Sequence, residues 1–336
     1  MDTLTHIVLG ACIGEAIAGK QLGKKALFLG AFAQSIPDLD FVASFFLPLT
    51  NDLLAHRGFT HSFLFVALIA PLLAFASRRI FRAAHMSMGH WMLFWGLQVF
   101  IHVFIDAFNA YGTGWFEPFS HYRVSFNTMF VADPLFTIWP LAAFIALLAL
   151  GKTSIRRKTW TRAALLLSGL YLLLGIGLKQ HVEHALNSTL TAKKITSQRH
   201  FSTPTPLNNM LWYVVAESDS GFYIGYRSVF DSKGTMDMHH VNRNEQLLAP
   251  MQDQPELGLL KRFSQGYYTA RHWHDTVIFN DLRFGEIRGW ADTMPRCVFY
   301  YDLSYPDDNK LIVQRGRFAN WDAAALKAFV RRIGGI

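Results

Sequence analysis

Charge is what this chain has least of. Only 17% of its 336 residues are charged, against roughly a quarter in an ordinary soluble domain. That deficit excludes a water-exposed exterior along the whole length. Cysteine is almost as scarce. Cys12 lies in an apolar segment and Cys297 in the polar half, so no disulfide framework is expected and the redox compartment stays open. A basic n-region is missing at the start: Asp2 stands in its place, and Gly10, Gly14 and Glu15 interrupt the apolar stretch, which argues against a signal peptide. No phosphate-binding glycine loop of the Walker or dinucleotide type occurs, and no strand-flanked nucleophile elbow. There is no internal repeat and no low-complexity tract.

What the chain has instead is apolar surface, 51% hydrophobic and 15% aromatic residues, concentrated in residues 1 to 178. Segments 60–77, 89–108 and 131–150, with a shorter one at 163–178, approach the 17 to 25 residues that cross a bilayer core. Segments 3–19 and 25–36 are shorter or richer in glycine, and are expected to be short helices packed within the bundle. The formal charge of +8 falls mainly in short runs between these segments, where it signals topology rather than nucleic-acid binding. Arg78, Arg79 and Arg82, then Lys152, Arg156, Arg157, Lys158 and Arg162, mark cytoplasmic loops, as do Lys20, Lys24 and Lys25. By alternation, residues 37–59, 109–130 and everything after about 180 face outward.

The tail reads as a separate mixed domain. Thr203-Pro204-Thr205-Pro206 resembles a linker. LWYVVAES and GFYIGYRSVF form a hairpin around Asp219-Ser220-Gly221. Further strands are expected near 276–281, 296–303 and 310–317, and a final amphipathic helix after a cap at Asn320. The fold class is therefore an α-helical membrane bundle of about four spanning helices plus two short N-terminal ones, residues 1–180. A C-terminal α+β soluble domain, residues 200–336, is expected to be extracytoplasmic and to fold alone.

The chemistry-bearing residues of the apolar half gather at one level of this topology. His6 opens the first segment, Asp38 and Asp40 end the second in PDLD, and His56 and His61 frame HRGFTHS. His102 and Asp106 lie in FIHVFIDAF, i,i+4 on one helix face, roughly 20 and 26 Å from the cytoplasmic end of their segment. Ionisable groups at such depth are costly and mark function or a specific partner. Each also has a plain structural reading. His102 and Asp106 can hydrogen-bond each other, and PDLD can be a helix stop with carboxylates at an unfavourable negative end. Thr60 or Ser62 can cap a helix, Arg57 can meet lipid headgroups, and His6 can be interfacial. Asp133 followed by Pro134 is an N-cap pattern. The histidines at 239, 240, 272 and 274 lack carboxylates at supporting spacing and read as surface or fold residues. Imidazole and carboxylate together suit a catalytic divalent metal, zinc above all. Gly58 permits a tight path between the two histidines.

These motifs resemble those of bacterial inner-membrane-associated metal-dependent hydrolases, a family also described as LexA-binding. The resemblance rests on Thr5-His6, PDLD, HRGFTHS, His102 with Asp106, DAFNAYGTGWFEPFS and ADPLF, over about residues 1–140, and more weakly on DLRFG at 281–285. The order of His and Asp is also loosely similar to that in zinc-dependent phospholipases C. Read this way, His6, Asp38, Asp40, His56, His61, His102 and Asp106 ligate one or more ions. Asp40 serves as general base and Arg57 stabilises charge in the transition state. The substrate expected at that depth is a membrane lipid or lipid-linked ester or phosphoester. The alternatives are a scaffold or regulator with a closed metal clip, binding a protein partner through its C-terminal domain, and a transporter. The helices are few for a secondary carrier, and a cytoplasmic LexA-type partner conflicts with an outward tail.

Overall fold

The computed structural model describes residues 1–292, 295–309, 318 and 321–335. It divides into two compact units, residues 1–46, 55–175 and 206–208 in one, 47–54, 176–205 and 209–336 in the other.

In the first unit, α1 (Thr3–Leu22) and α2 (Lys25–Ser35) form a close pair. The glycines that make this stretch look broken are its packing surface. A Cβ on Gly30 would lie 2.1 Å from the Gly10 carbonyl oxygen, and one on Gly14 would lie 2.2 Å from that of Ala26. Small residues at four-residue spacing let two backbones touch without the side-chain layer that would hold them apart. The result is a 20-residue α1, longer than expected. After α3 (Leu49–Ala55), which falls largely in the second unit, come α4 (Phe63–Ile80) and α5 (Met88–Asp106), joined by a 3₁₀ turn at Arg82–Ala84. Ala70 and Ala74 of α4 meet Trp91, Phe94 and Trp95 of α5. The Trp95 indole N–H donates to Ser77 at 2.9 Å.

Leu68, Leu72 and Phe75 of α4, and Leu166, Leu170 and Leu173 of α7 (Arg156–Ala192), all point outward and are at least half exposed. In water each would forgo about 1.5–3 kcal/mol of burial, whereas hydrocarbon chains solvate them. Three helices, α4, α5 and α7, are long and apolar enough to cross a membrane. The pair formed by α2 and the 3₁₀ segment Pro37–Phe45, bent by 51°, would make a fourth. The expected span at 131–150 is shorter. It is α6 (Pro134–Ala149), 16 residues, below the ~20 that a bilayer core requires. Asp133 starts it late, accepting from the backbone of Leu135 at 2.9 Å and from the Tyr171 hydroxyl at 2.8 Å. At its other end Arg157 donates to the Leu147 carbonyl at 2.8 Å while pairing with Glu15 at 2.7 Å. Arg157 is thus a buried closure of a helix end and not a free loop charge. Lys24 likewise donates to the Leu148 carbonyl.

In the second unit a four-stranded antiparallel sheet runs β1 (His200–Pro204), β2 (Leu211–Glu217), β3 (Gly221–Ser228), β4 (Met238–Asn242). A three-stranded one runs β5 (Tyr268–Trp273), β6 (Thr276–Ile287), β7 (Arg296–Asp302). The β2–β3 hairpin falls where its pattern placed it. Period-two alternation gives β2 two buried faces. Trp212, Val214 and Ala216 face α7, while Tyr213 and Val215 join a second core with Phe222, Leu282 and Phe329. The first of these cores explains why α7 is 37 residues long instead of stopping near 178. Beyond its apolar run, Val182, Ala185, Leu186 and Leu190 recur at helical spacing and pack on β2. Thr203 and Pro204 are not linker but the end of edge strand β1, opposite Tyr213 and Trp212, a position where a proline costs no ladder bond.

The DLRFG stretch lies on β6, where Gly285 takes φ +80° at the register shift between Asp281 and Glu286. Asp281 and Arg283 form a buried ion pair at 2.6 Å. His239 has the carboxylate that spacing hid: Glu286 lies 3.6 Å from it. A short helix, α8 (Pro255–Phe263), precedes β5. The last helix, α9 (Ala323–Ile333), is capped by Asp322, its carboxylate accepting from the Ala325 amide at 2.7 Å; Asn320, the expected cap, lies outside the described residues. The strand expected at 310–317 lies outside the described residues.

Candidate metal centre

Four chain segments meet at the end of α5. Pro37 stops α2 and opens the 3₁₀ segment, so Asp38 and Asp40 sit in the first turn of a new helical element. The unfavourable dipole of α2 is thereby offset by a favourable one. Between α3 and α4 the chain turns through Arg57 at φ +58° and Gly58 into a 3₁₀ turn, Phe59–His61. Ser62 caps α4, accepting from the Phe65 amide at 3.0 Å. Thr60 is therefore free of capping, and its hydroxyl donates to Asp40 Oδ2 at 3.2 Å. The last turn of α5 supplies His102 and Asp106, and α1 supplies His6, all fully buried.

Asp38, His61, His102 and Asp106 each offer one ligand atom, and these atoms lie within 4.8 Å of one another. It is the one such group of three or more among the described residues. His61 Nε2 and His102 Nε2 are 3.1 Å apart. Asp38 Oδ1 lies 3.6 and 3.4 Å from them, and Asp106 Oδ2 lies 3.4 and 3.7 Å. A tetrahedral ion with bonds of 2.0–2.1 Å to nitrogen and oxygen separates its ligand atoms by about 3.3 Å.

The protonation pattern points the same way. His102 Nδ1 faces the Gln34 main-chain carbonyl, which can only accept, so Nδ1 carries the proton and Nε2 the lone pair. Thr60 spends its own proton on Asp40 and so accepts from His61 Nδ1 at 3.0 Å, which leaves the His61 lone pair on Nε2 too. Two imidazole lone pairs then face each other, and between them Asp106 Oδ2 is buried with no hydrogen-bond donor. Arg57 Nε is 3.2 Å from that oxygen but out of line for a hydrogen bond. A cation between them would satisfy the opposed acceptors and the orphaned carboxylate oxygen. The donor set fits a divalent metal, and two imidazoles with two carboxylates suit zinc.

The other expected site residues stand one step back. His6 Nε2 lies 3.1 Å from Asp106 Oδ1, its Nδ1 is 3.2 Å from Gln34 Oε1, and its ring stacks on His102 at 3.7 Å. The Met1 amino nitrogen also contacts Asp106 Oδ1. Asp40 is engaged on both oxygens. Oδ1 lies 3.1 Å from His56, while Oδ2 accepts from the Arg57 amide at 2.8 Å and lies 3.4 Å from His61 Nδ1. His56 is 40% exposed and faces Asp40 rather than the four converging atoms. Arg57, buried, donates to Asn109 at 2.8 Å and to the Met1 carbonyl at 3.3 Å, and lies against Tyr111. Gln34 and Asn109 were not singled out by motif reading, and Thr60 was read only as a helix cap. The first had a visible signal, a lone amide in the apolar run ALFLGAFAQSI, where a polar group must have a partner.

A family model described as YdjM inner membrane protein matches residues 1–182. The chain belongs to the YdjM inner membrane protein family. It is also similar to the uncharacterized protein YfhP of Bacillus subtilis (strain 168), 29% identical over 241 residues that cover 67% of this chain and 68% of that one. With the inner membrane protein YbcI of Escherichia coli (strain K12) it shares 32% identity over 122 residues, 36% of this chain and 69% of that one. No solved structure matches. The YdjM stretch ends within α7 and contains all four converging side chains, with their supports Gln34, Asp40 and Arg57. The family and the apolar helices together make this an inner-membrane protein.

Proposed function

We propose that the protein is a membrane-bound, divalent-metal-dependent hydrolase, with zinc the best fit, acting on an ester or phosphoester of a lipid or lipid-linked substrate at the outer face. The observation that carries this reading is the convergence of Asp38, His61, His102 and Asp106 around opposed lone pairs and an orphaned oxygen. A metal held there supplies Lewis acidity toward an ester or phosphoryl oxygen and toward water.

The chain's own residues do the rest. His61, His102 and Asp106 are sealed, whereas Asp38 is 21% exposed. Three buried donors with an open fourth side is the pattern of a catalytic site, where a structural site is closed all round. Asp40 holds the His61 ring by its Nδ1 side, and the Gln34 carbonyl does the same for His102, the outer-shell arrangement that fixes imidazole orientation. With both oxygens engaged, Asp40 is a positioning residue in this reading. Asp38 borders the open side, where water and substrate would reach the site. Arg57 fixes Asp106 and ties the loop before α4 to α5.

The full burial of His61, His102 and Asp106 also supports a second reading, a scaffold with a structural metal clip that binds a protein partner through its tail. Metal content of detergent-purified protein, with phosphodiesterase and esterase activity on lipid substrates, separates the two. The hydrolase reading expects stoichiometric metal, lost in His61→Ala, and activity abolished by chelator with little change in melting temperature. A clip expects chelator to unfold the helical unit. Wild-type protein that holds no divalent metal and gains no activity from added zinc or manganese refutes the hydrolase.

A further inference from the structure

The one open edge of the four-residue cluster is at Asp38, and the chain around that edge is apolar. Leu39, Phe41 and Val42 are about half exposed, and Phe45 and Phe46 are 73% and 81% exposed. Phe59, in the turn that packs against this segment, is nearly half exposed as well. A water-soluble protein would not ring a polar site with so many large apolar side chains. The same surface continues backward along the chain. Phe28 and Phe32 on α2 are more than half exposed, and α2 bends by 51° into Pro37–Phe45. In an inner-membrane protein the outward phenylalanines of α2 face acyl chains. The exposed side chains beyond the bend extend that lipid-facing surface up to Asp38.

We propose that Pro37–Phe46 is embedded at the boundary between acyl chains and headgroups, and that substrate enters the site sideways from the bilayer past Asp38. The substrate class is then a membrane lipid whose scissile ester or phosphoester lies next to its glycerol backbone. A water-soluble ester arriving from bulk is excluded as the working substrate. Hydrolysis adds one water across the acyl C–O or P–O bond, leaving an alcohol and an acid or phosphate monoester with release of a proton. The substrate class rests on the hydrolase reading, while the embedding stands without it.

The test places a single cysteine at position 45 or 46 in full-length protein whose Cys12 and Cys297 are replaced by alanine. The label is a fluorophore, and the protein is reconstituted in vesicles of phosphatidylethanolamine and phosphatidylglycerol. A label at Thr153, in the exposed loop before α7, is the reference. Embedding expects lipids brominated on the acyl chain to quench positions 45 and 46 several-fold more than position 153, and iodide to quench them several-fold less. Labels at 45 and 46 that iodide reaches as freely as 153, with no quenching by bromolipid, overturn the embedding whatever the activity. The second arm uses Phe45→Ser/Phe46→Ser. Hydrolysis of vesicle lipid is expected to fall about tenfold, with hydrolysis of a monomeric short-chain ester or phosphodiester unchanged. Equal loss on both substrates, or on neither, overturns lateral entry. Wild-type protein inactive on both refutes the hydrolase and removes the proposed substrate, while the quenching pattern still decides the embedding.

Discussion

The sharpest consequence of the geometry is a difference between two aspartates that look alike in sequence. Asp106 Oδ2 points at His61 and His102 with no donor of its own. Asp40 points at the far nitrogen of His61 and is already satisfied by the Arg57 amide and Thr60. Asp106→Asn keeps the shape but removes a charge that would ligate the ion. Asp40→Asn keeps an acceptor for Arg57 and Thr60 and removes the charge behind His61. Outer-shell partners typically contribute 10- to 100-fold in metal affinity, about 1.4–2.8 kcal/mol. Asp40→Asn should therefore weaken binding of a divalent metal such as zinc by about that factor and still hold near-stoichiometric metal when the added ion is saturating. Asp106→Asn should lose more than about 100-fold, beyond the outer-shell range, and emerge from purification without metal. The assay is elemental analysis of both variants after dialysis against a graded chelator series, with melting temperature followed in parallel. Asp40→Asn as empty as Asp106→Asn would make Asp40 a ligand and the assignment wrong. Full metal retention in Asp106→Asn would refute the site itself.

Other consequences follow from each unit separately. A reporter fused after residue 336 should behave as extracytoplasmic and one within 152–162 as cytoplasmic; a cytoplasmic C-terminus refutes the outward tail. A fragment 200–336 lacks Val182, Leu186 and Leu190, which cover Trp212 and Val214. At about 1.5–3 kcal/mol for each buried aliphatic side chain, the loss rivals a whole domain's stability. It should melt well below a fragment 176–336 by circular dichroism, and equal melting refutes the role of α7 in that core. Gly30→Ala, placing a methyl against the Gly10 carbonyl, should cost more than about 2 kcal/mol in detergent unfolding, with a backbone rather than a side chain in the way; an unchanged midpoint contradicts the close α1–α2 contact. A hydrogen bond to Glu286 raises the His239 pKa above its ordinary value. Its stabilisation is full below the unfolded value of about 6.5 and is lost as pH rises through the folded one. The melting temperature of the second unit should fall from pH 6 to 8, less steeply in His239→Gln, and identical slopes would show that the pair contributes nothing.

The sequence by itself determined the elements whose signal is local. Alternation marked the β2–β3 hairpin, i,i+4 spacing put His102 and Asp106 on one helix face, and apolar runs marked α4 and α5. It also exposed the costly polar groups of PDLD and HRGFTHS, because a charge in an apolar segment needs a partner wherever the chain goes. What it could not decide depended on contacts distant in the chain. The convergence of α1, α2 and α5 required backbones to touch at Gly10, Gly14 and Gly30, and spacing gives no sign of a partner surface 20 residues away. The second half of α7 was invisible because its apolar residues thin out to a stripe, and only the sheet they cover explains why the helix continues. Which oxygen of which aspartate faces an ion is a matter of ångströms and side-chain rotation. Asp38 and Asp40 are two residues apart, yet the 3₁₀ turn after Pro37 sends one toward the lone pairs of His61 and His102 and the other behind the His61 ring. That separation into proposed ligand and support exists only in the folded chain, because it is set by His56, Arg57, Thr60 and His61 in the turn between α3 and α4.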